Sequence, residues 1–317
     1  MSAPADEIPH LEPPPAWAIA VAFGIVFLSW GTTYKATSIA MMNEVMPPAL
    51  FGGVRLVIAG AILLLYQLGR GQALRLRANE FAGLLLVGWF LFLGANFLIN
   101  FGQKKIDSGV SAILIATTPL WIGLFGMLWP RGERLSLHGW LGLVIGFVGI
   151  VLTLAPRLRA DIEFFGDFHA LLILGSAASW ALGSLVSRHL ALKIPHLTSA
   201  GYQMLLGGGS QVLLGTALGE WQQIPALTGR AVGCFCYVLV FGSLMGFVAF
   251  NWLLGHVPTA KVGTYAYVNP VIAVFIGWCF GEEMHGWIFA GIAVILVGVY
   301  LVRRDHAPTQ EIEVEPD

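Results

Sequence analysis

One apolar stretch near the C-terminus constrains the fold of this chain more than any other feature. It runs from Lys261 to Glu282 (KVGTYAYVNPVIAVFIGWCFGE) and is long enough to cross a bilayer, with Pro270 near its middle. Proline has no N–H to donate, so the carbonyl of Ala266 lacks its helical partner. A bare carbonyl is costly in hydrocarbon and is tolerated only against protein or a water-filled cavity. The stretch therefore predicts an interrupted transmembrane helix beside a cavity.

The first half of the chain contains a counterpart of this stretch. Ser111 to Glu133 (SAILIATTPLWIGLFGMLWPRGE) is also apolar, and its Pro119 lies 151 residues before Pro270. Other pairs hold the same order at offsets of 148 to 151: Ser29-Trp30 with Ser179-Trp180; Pro47, Arg55 and Gly60 with Pro195, Gln203 and Gly208; Asn100 with Asn251; Glu133 and Gly142 with Glu282 and Gly291. These matches predict an internal repeat, with Pro119 and Pro270 as the two helix breaks.

Composition places the chain in a membrane. It is 57% hydrophobic and 11% charged, with a mean hydropathy of +0.77, whereas soluble domains carry about 25% charged residues. The net charge of −1 argues against nucleic acid as a partner. Cys234, Cys236 and Cys279 lie inside apolar segments, and no catalytic, phosphate-binding or metal-binding motif is present. We therefore expect no enzymatic activity, no metal site and no cofactor.

Ten segments are apolar and long enough to span a bilayer. They cover approximately residues 17–40, 47–68, 80–101, 107–129, 135–155, 168–188, 196–219, 231–255, 258–281 and 286–302. Because each half holds five, an odd number, the second half enters the membrane from the opposite side. The sequence thus predicts an all-α integral membrane protein of ten transmembrane helices, arranged as two inverted five-helix repeats.

The predicted organisation has four parts. They are a disordered N-terminal tail (1–16), a first repeat of helices 1–5 (17–155), a second repeat of helices 6–10 (156–303) and a disordered acidic C-terminal tail (304–317). With the N-terminus inside, the cytoplasmic segments hold ten Lys and Arg residues and the opposite segments five. By the positive-inside rule, both termini are expected in the cytoplasm.

Charged residues inside the predicted spans are few. All 18 acidic residues lie in loops, tails or span ends, which argues against a buried proton-relay carboxylate. Lys35 lies near the end of the first span and can snorkel to the interface. Arg55 lies deeper, about 12 Å into the second span at the helical rise. It could pair with a substrate carboxylate, cap free carbonyls of a neighbouring helix, or snorkel outward.

Several amides and aromatic rings are the remaining candidates for a substrate site. Asn96 and Asn100 share a helix face, and such amides either bond neighbouring helices or line a cavity. Gln203 stands where Arg55 stands in the other half, so a site between the halves would be chemically asymmetric. The residues predicted to line it are Trp30, Tyr34, Arg55, Asn96, Asn100, Trp180, Gln203, Asn251, Tyr265 and Asn269.

Taken in order and doubled, these motifs resemble the EamA-type permeases of the drug/metabolite transporter superfamily. The resemblance covers residues 17–303 and rests on Ser29 through Tyr34, Pro48 with Gly53-Val-Arg55, Ser111 through Pro119, Gly132 through Ser136, Ser179-Trp180-Ala181, and Thr264 through Pro270 with Gly281-Glu282. The halves differ in one spacing, because Gly132 follows Pro119 by 13 residues and Gly281 follows Pro270 by 11. The resemblance implies ten helices in inverted repeats, a bacterial inner-membrane location and export of small metabolites, often amino acids.

The expected function is therefore a secondary transporter that exports amino acids or related small metabolites by alternating access. It would act in the lipid bilayer as a monomer or homodimer, by facilitated or exchange transport. Two alternatives remain open at this stage. One is a multidrug exporter of organic cations, disfavoured by the absence of a mid-span acid. The other is a membrane-embedded sensor or enzyme, disfavoured by the absence of a catalytic motif.

Overall fold

The computed structural model describes residues 14–106, 108–129, 135–158, 168–190, 192, 194–279 and 286–304. The regular elements in these residues are helices, with no strand among them. The α-helices are α1 (Ala16–Ser38), α2 (Pro48–Gly69), α3 (Ala78–Gly88), α4 (Phe97–Gly102), α5 (Ser108–Ile115), α6 (Thr118–Leu128), α7 (Leu137–Leu158), α8 (Phe168–His189), α9 (His196–Ala217), α10 (Gly229–Tyr237), α11 (Val248–His256), α12 (Thr259–Gly263), α13 (Tyr265–Cys279) and α14 (Gly286–Arg304). The all-α prediction is confirmed for this part of the chain.

Among the described residues, six helical stretches are long and apolar enough to cross a membrane, judged by length and composition. They are Ala16–Asn43, Pro48–Gly69, Ala78–Gly102, Ser111–Leu128, Phe168–His189 and Gly229–His256. The other predicted spans coincide with α7, α9, α12 with α13, and α14; ten transmembrane helices stay a prediction. The predicted tails fall mainly on residues 1–13 and 305–317, which lie outside the described residues, as do the Gly-Glu pairs at 132–133 and 281–282.

Both proline-containing stretches are interrupted, but only one interruption is next to its proline. Pro119 lies in the first turn of α6, directly after a break at Ala116 and Thr117. The prediction for Pro270 is wrong, because that proline lies inside α13. The break is instead at Thr264, six residues earlier.

Threonine hydroxyls bond backbone carbonyls at both breaks. Thr117 and Thr118 each donate to a carbonyl three residues back, at 2.6 Å, and Thr264 donates to the carbonyl of Lys261 at 2.7 Å. A short hydroxyl that bonds its own backbone replaces the helical partner of that carbonyl. The hydroxyls therefore satisfy the backbone where the helix stops.

Two π-helical segments occupy corresponding places in the halves. One, Trp89–Asn96, joins α3 to α4, and the other, Val238–Phe247, joins α10 to α11; a third, Ile39–Asn43, ends the first span. Side chains from the opposite half donate to their carbonyls: Ser179 to Phe90 (2.8 Å), Gln211 to Phe92 (2.8 Å), Ser176 to Ala95 (2.8 Å), Arg55 to Val238 (3.5 Å) and Trp30 to Gly242 (3.0 Å). Each half thus satisfies backbone groups of the other.

Repeat-related helices also pack against each other through glycines. In the α2–α9 pair, a Cβ on Gly60 would lie 2.6 Å from the carbonyl oxygen of Gly201. In the α7–α14 pair, a Cβ on Gly142 would lie 2.8 Å from the carbonyl oxygen of Gly298. Backbones that approach this closely leave no room for a side chain, which is how helices associate in lipid.

This packing predicts that Gly60→Ala destabilises the fold. The new methyl group meets backbone that cannot rotate away, so the free energy of unfolding should fall by about 1–3 kcal/mol. Gly209→Ala on α9 is the matched control, because nothing lies within 4 Å of its Cβ position. Thermal unfolding in detergent should show a lower midpoint for Gly60→Ala and no loss for Gly209→Ala. Equal midpoints would contradict the close α2–α9 contact.

Candidate functional site

One cavity lies among helices from both halves of the chain. Its unoccupied space, counted together with the open side, is about 630 Å³. Its lining comprises Trp30, Thr33, Tyr34, Thr37, Ala95, Asn96, Ile99, Asn100, Gln103, Ile115, Thr118, Ser176, Trp180 and Tyr265. None of these carries a charged group.

The cavity lies at both helix interruptions. Ile115 and Thr118 flank the first break, and Tyr265 follows the second. Close in sequence to these lining residues, Ile122, Ala181, Leu185 and Ala260 form a buried apolar cluster. Apolar packing thus adjoins the cavity near the two interruptions.

Aromatic rings form one wall of the cavity. Trp30 and Trp180, the repeat-related pair, meet edge to face with ring centroids 5.2 Å apart, and Tyr265 contacts Trp30 at 4.8 Å. The indole N–H of Trp30 donates to the carbonyl of Gly242, whereas that of Trp180 is buried and has no partner. The wall is mainly apolar, and its polar groups include the unpaired indole N–H of Trp180 and the phenol hydroxyl of Tyr265.

Amides on one helix face form another wall. Asn96, Asn100 and Gln103 are spaced by four and three residues, so they follow the same face. Asn100 donates to the carbonyl of Pro48 at 3.3 Å and to Oδ1 of Asn96 at 3.4 Å. These contacts hold Asn96 and Asn100 in place at the cavity surface.

Arg55 lies behind this row and does not line the cavity. Its guanidinium is 4% exposed and donates to Oδ1 of Asn96 at 3.3 Å, to the hydroxyl of Ser243 and to the carbonyl of Val238. No ion pair joins it to an acidic group among the described residues. Of the three roles that the sequence suggests for Arg55, this geometry matches the capping of carbonyls on a neighbouring helix. Only the side chain of Asn96 separates the positive charge from the cavity.

The structure brings together six of the ten predicted site residues. Trp30, Tyr34, Asn96, Asn100, Trp180 and Tyr265 line the cavity, and Arg55, Gln203, Asn251 and Asn269 do not. Asn251 and Gln203 bond to each other at 3.0 Å and so link α11 to α9. Asn269 is buried without a partner for either side-chain atom, and Lys35 is exposed.

Sequence reasoning missed several lining residues, and two signals could have found some of them. Thr33 and Thr37 share a face with Trp30 and Tyr34, so helical periodicity from the Ser-Trp motif leads to them. Gln103 lies two residues beyond the predicted end of the third span, outside the residues predicted to face a cavity. Ser176 lies one turn before Trp180 on the same face. Nothing in the local sequence marks Thr118 beyond its place before Pro119.

Comparison with known proteins gives the family. The sequence profile of the EamA-like transporter family matches twice, at residues 16–155 and 167–304. The chain is 32% identical over 294 residues to an "Uncharacterized inner membrane transporter YedA" of Escherichia coli K12, covering 88% of this chain and 92% of that one. It is 27% identical over 291 residues to an "Uncharacterized transporter YvbV" of Bacillus subtilis, covering 91% and 92%.

A solved crystal structure has the same fold, with a TM-score of 0.71 and 22% sequence identity, covering 91% of this chain and 98% of that chain. The double match to the family profile spans nearly all the helices described above, and the chain therefore belongs to the EamA-like transporter family.

Proposed function

We propose that this membrane transporter exports amino acids or related small metabolites by alternating access. The observation that carries the proposal is the uncharged cavity built by both halves at the two helix interruptions. Secondary transporters built from repeats hold their substrate between the halves, beside broken helices. Apolar packing near the breaks supports a cavity that opens to one side at a time.

The proposed arrangement in the membrane follows from the repeat. Two inverted five-helix halves would exchange roles as the cavity changes sides, and the reciprocal bonds to the π-helical segments support two halves that act as matched units. The relative from Escherichia coli is named as an inner membrane transporter. We propose the same membrane for this chain, with both termini in the cytoplasm.

The chemistry of the walls supports an amino acid as substrate. Indole and phenol rings suit an apolar side chain, and the amide row suits polar groups. Asn96 receives the Arg55 bond on Oδ1, and its Nδ2 donates no hydrogen bond within the described residues. A carboxylate that accepts from this Nδ2 would lie within the field of the guanidinium. Arg55 would then act as a positioning residue through Asn96.

The cavity gives less support to an exporter of organic cations. Aromatic faces attract cations, but no Asp or Glu lies among the lining residues. A desolvated cation would therefore lack a counter-charge in the described part of the site.

Counterflow in proteoliposomes tests the proposed function. Vesicles loaded with unlabelled amino acids should transiently accumulate one or more labelled amino acids, without an imposed gradient of ions. Accumulation of a labelled organic cation, with every amino acid at background, would favour the multidrug alternative. Protein-free vesicles give the baseline, and the absence of flux for every solute would overturn the transporter proposal.

The variant Arg55→Gln tests whether the buried charge reads a carboxylate. A guanidinium and a solute carboxylate about 8 Å apart attract each other by about 2 kcal/mol at an effective dielectric constant of about 20. Counterflow of a transported amino acid should fall about tenfold or more, and that of its uncharged amino-alcohol analogue by much less. Lys35→Gln, at an exposed lysine in the same half, is the matched control and should change neither. Equal loss for both solutes, or a collapse of thermal stability, would assign Arg55 a purely structural role.

A further inference from the structure

Gln103 is an outlier among the buried polar side chains. It is 0% exposed, and neither its Oε1 nor its Nε2 has a hydrogen-bond partner. A buried amide without partners destabilises the fold, because the amide loses its bonds to water and gains nothing in return. Such a group needs a partner that the protein does not supply, either an ordered water or a solute.

Several other buried amides in the described residues have at least one partner. Gln67 donates to Thr198 at 3.0 Å, Gln203 accepts from Asn251 at 3.0 Å, and Gln211 donates to the carbonyl of Phe92 at 2.8 Å. Asn269 shares the condition of Gln103 but does not line the cavity. In the cavity wall, Gln103 is thus the amide whose donor and acceptor are both unused.

Gln103 belongs to the cavity wall, with its amide covered in this conformation, so a solute contacts the amide when the covering side chains move aside. It directly follows α4 and continues the face of Asn96 and Asn100, at the end of the amide row farthest from Asn96. Seven residues of helix separate it from Asn96, which corresponds to about 10 Å along the axis. A solute held near Asn96 at one end would present its other end to Gln103.

The chemistry of an amide defines the best complement. Gln103 offers an N–H donor and a carbonyl acceptor side by side. A second carboxamide offers the same two groups in reverse order, so two hydrogen bonds form at once. A purely apolar group would leave both atoms of Gln103 unpaired, and a carboxylate would leave the carbonyl oxygen of Gln103 facing negative charge.

We propose that Gln103 is a specificity-determining residue of the cavity, selecting solutes that carry a carboxamide at the end distant from Asn96. The inference rests on the proposed transport function and specifies which solutes the site prefers. Trp180, whose indole N–H is also buried without a partner in the same lining, adds one more donor for an acceptor on the solute.

The test measures binding and transport of three probes of similar length. L-Glutamine carries the carboxamide, L-norleucine an apolar chain and L-glutamate a carboxylate. Binding is followed by quenching of tryptophan fluorescence in detergent, since Trp30 and Trp180 line the cavity, and transport by counterflow. Wild-type protein should bind and exchange glutamine about tenfold or more better than either other probe, as expected when a site built for hydrogen bonds meets a solute that cannot make them.

Substitution at Gln103 should reverse this preference. In Gln103→Leu, glutamine should lose about tenfold or more in both assays, while norleucine is unchanged or improved; Gln103→Asn should restore part of the preference for glutamine. Gln72→Leu, at an exposed glutamine in a loop, is the matched control and should behave as wild type.

Three outcomes would overturn the inference. One is parallel loss of all probes in Gln103→Leu with lowered thermal stability, which would mark a structural residue. Another is equal preference of the wild type for glutamine and norleucine. The third is counterflow of other amino acids with none of glutamine, which would remove this inference while leaving the transporter proposal intact. Absence of flux for every solute would instead remove the transporter proposal.

Discussion

The structure depends on the need to satisfy backbone carbonyls away from water. Where the helices widen into π-turns or stop, side chains take over the carbonyls, and many of those side chains come from the opposite half of the chain. Trp30 and Arg55 donate hydrogen bonds to carbonyls of the segment Val238–Phe247. Ser179 and Gln211 donate to carbonyls of Trp89–Asn96. In a low-dielectric interior these bonds cannot be replaced by water. They hold two sequence-related halves against each other and leave the cavity between them.

The repeat and much of the aromatic wall could be predicted from the sequence, because both depend on residues that stand out. Prolines in apolar segments, the paired Ser-Trp motifs and the recurring asparagines identify corresponding positions in the halves. Trp30, Trp180 and Tyr265 then follow as wall residues. The π-helical segments could not be predicted, because they carry no distinctive composition, and the side chains that bond two of them are distant in sequence. Pro270 was a wrong signal, because the helix continues through that proline and stops six residues earlier, at Thr264.

Arg55 illustrates what a sequence cannot decide about a buried charge. Its depth in the second span predicted either a substrate contact or a structural role, and the geometry combines features of both. The guanidinium bonds to protein on three sides, yet one of its partners, Asn96, forms the cavity surface. Gln103 illustrates the opposite case, since its place at the end of a span gave no reason to single it out. Only the absence of partners in the folded chain distinguishes it.

Solute is proposed to bind in the cavity between the halves, against the tryptophan wall and the amide row. The decisive measurement is a structure determined with a saturating concentration of a solute that shows counterflow. We expect density in contact with Trp30, Trp180 and Asn96, beside the breaks at residues 116–117 and Thr264. Density for the solute in another crevice, with this cavity unoccupied, would contradict it.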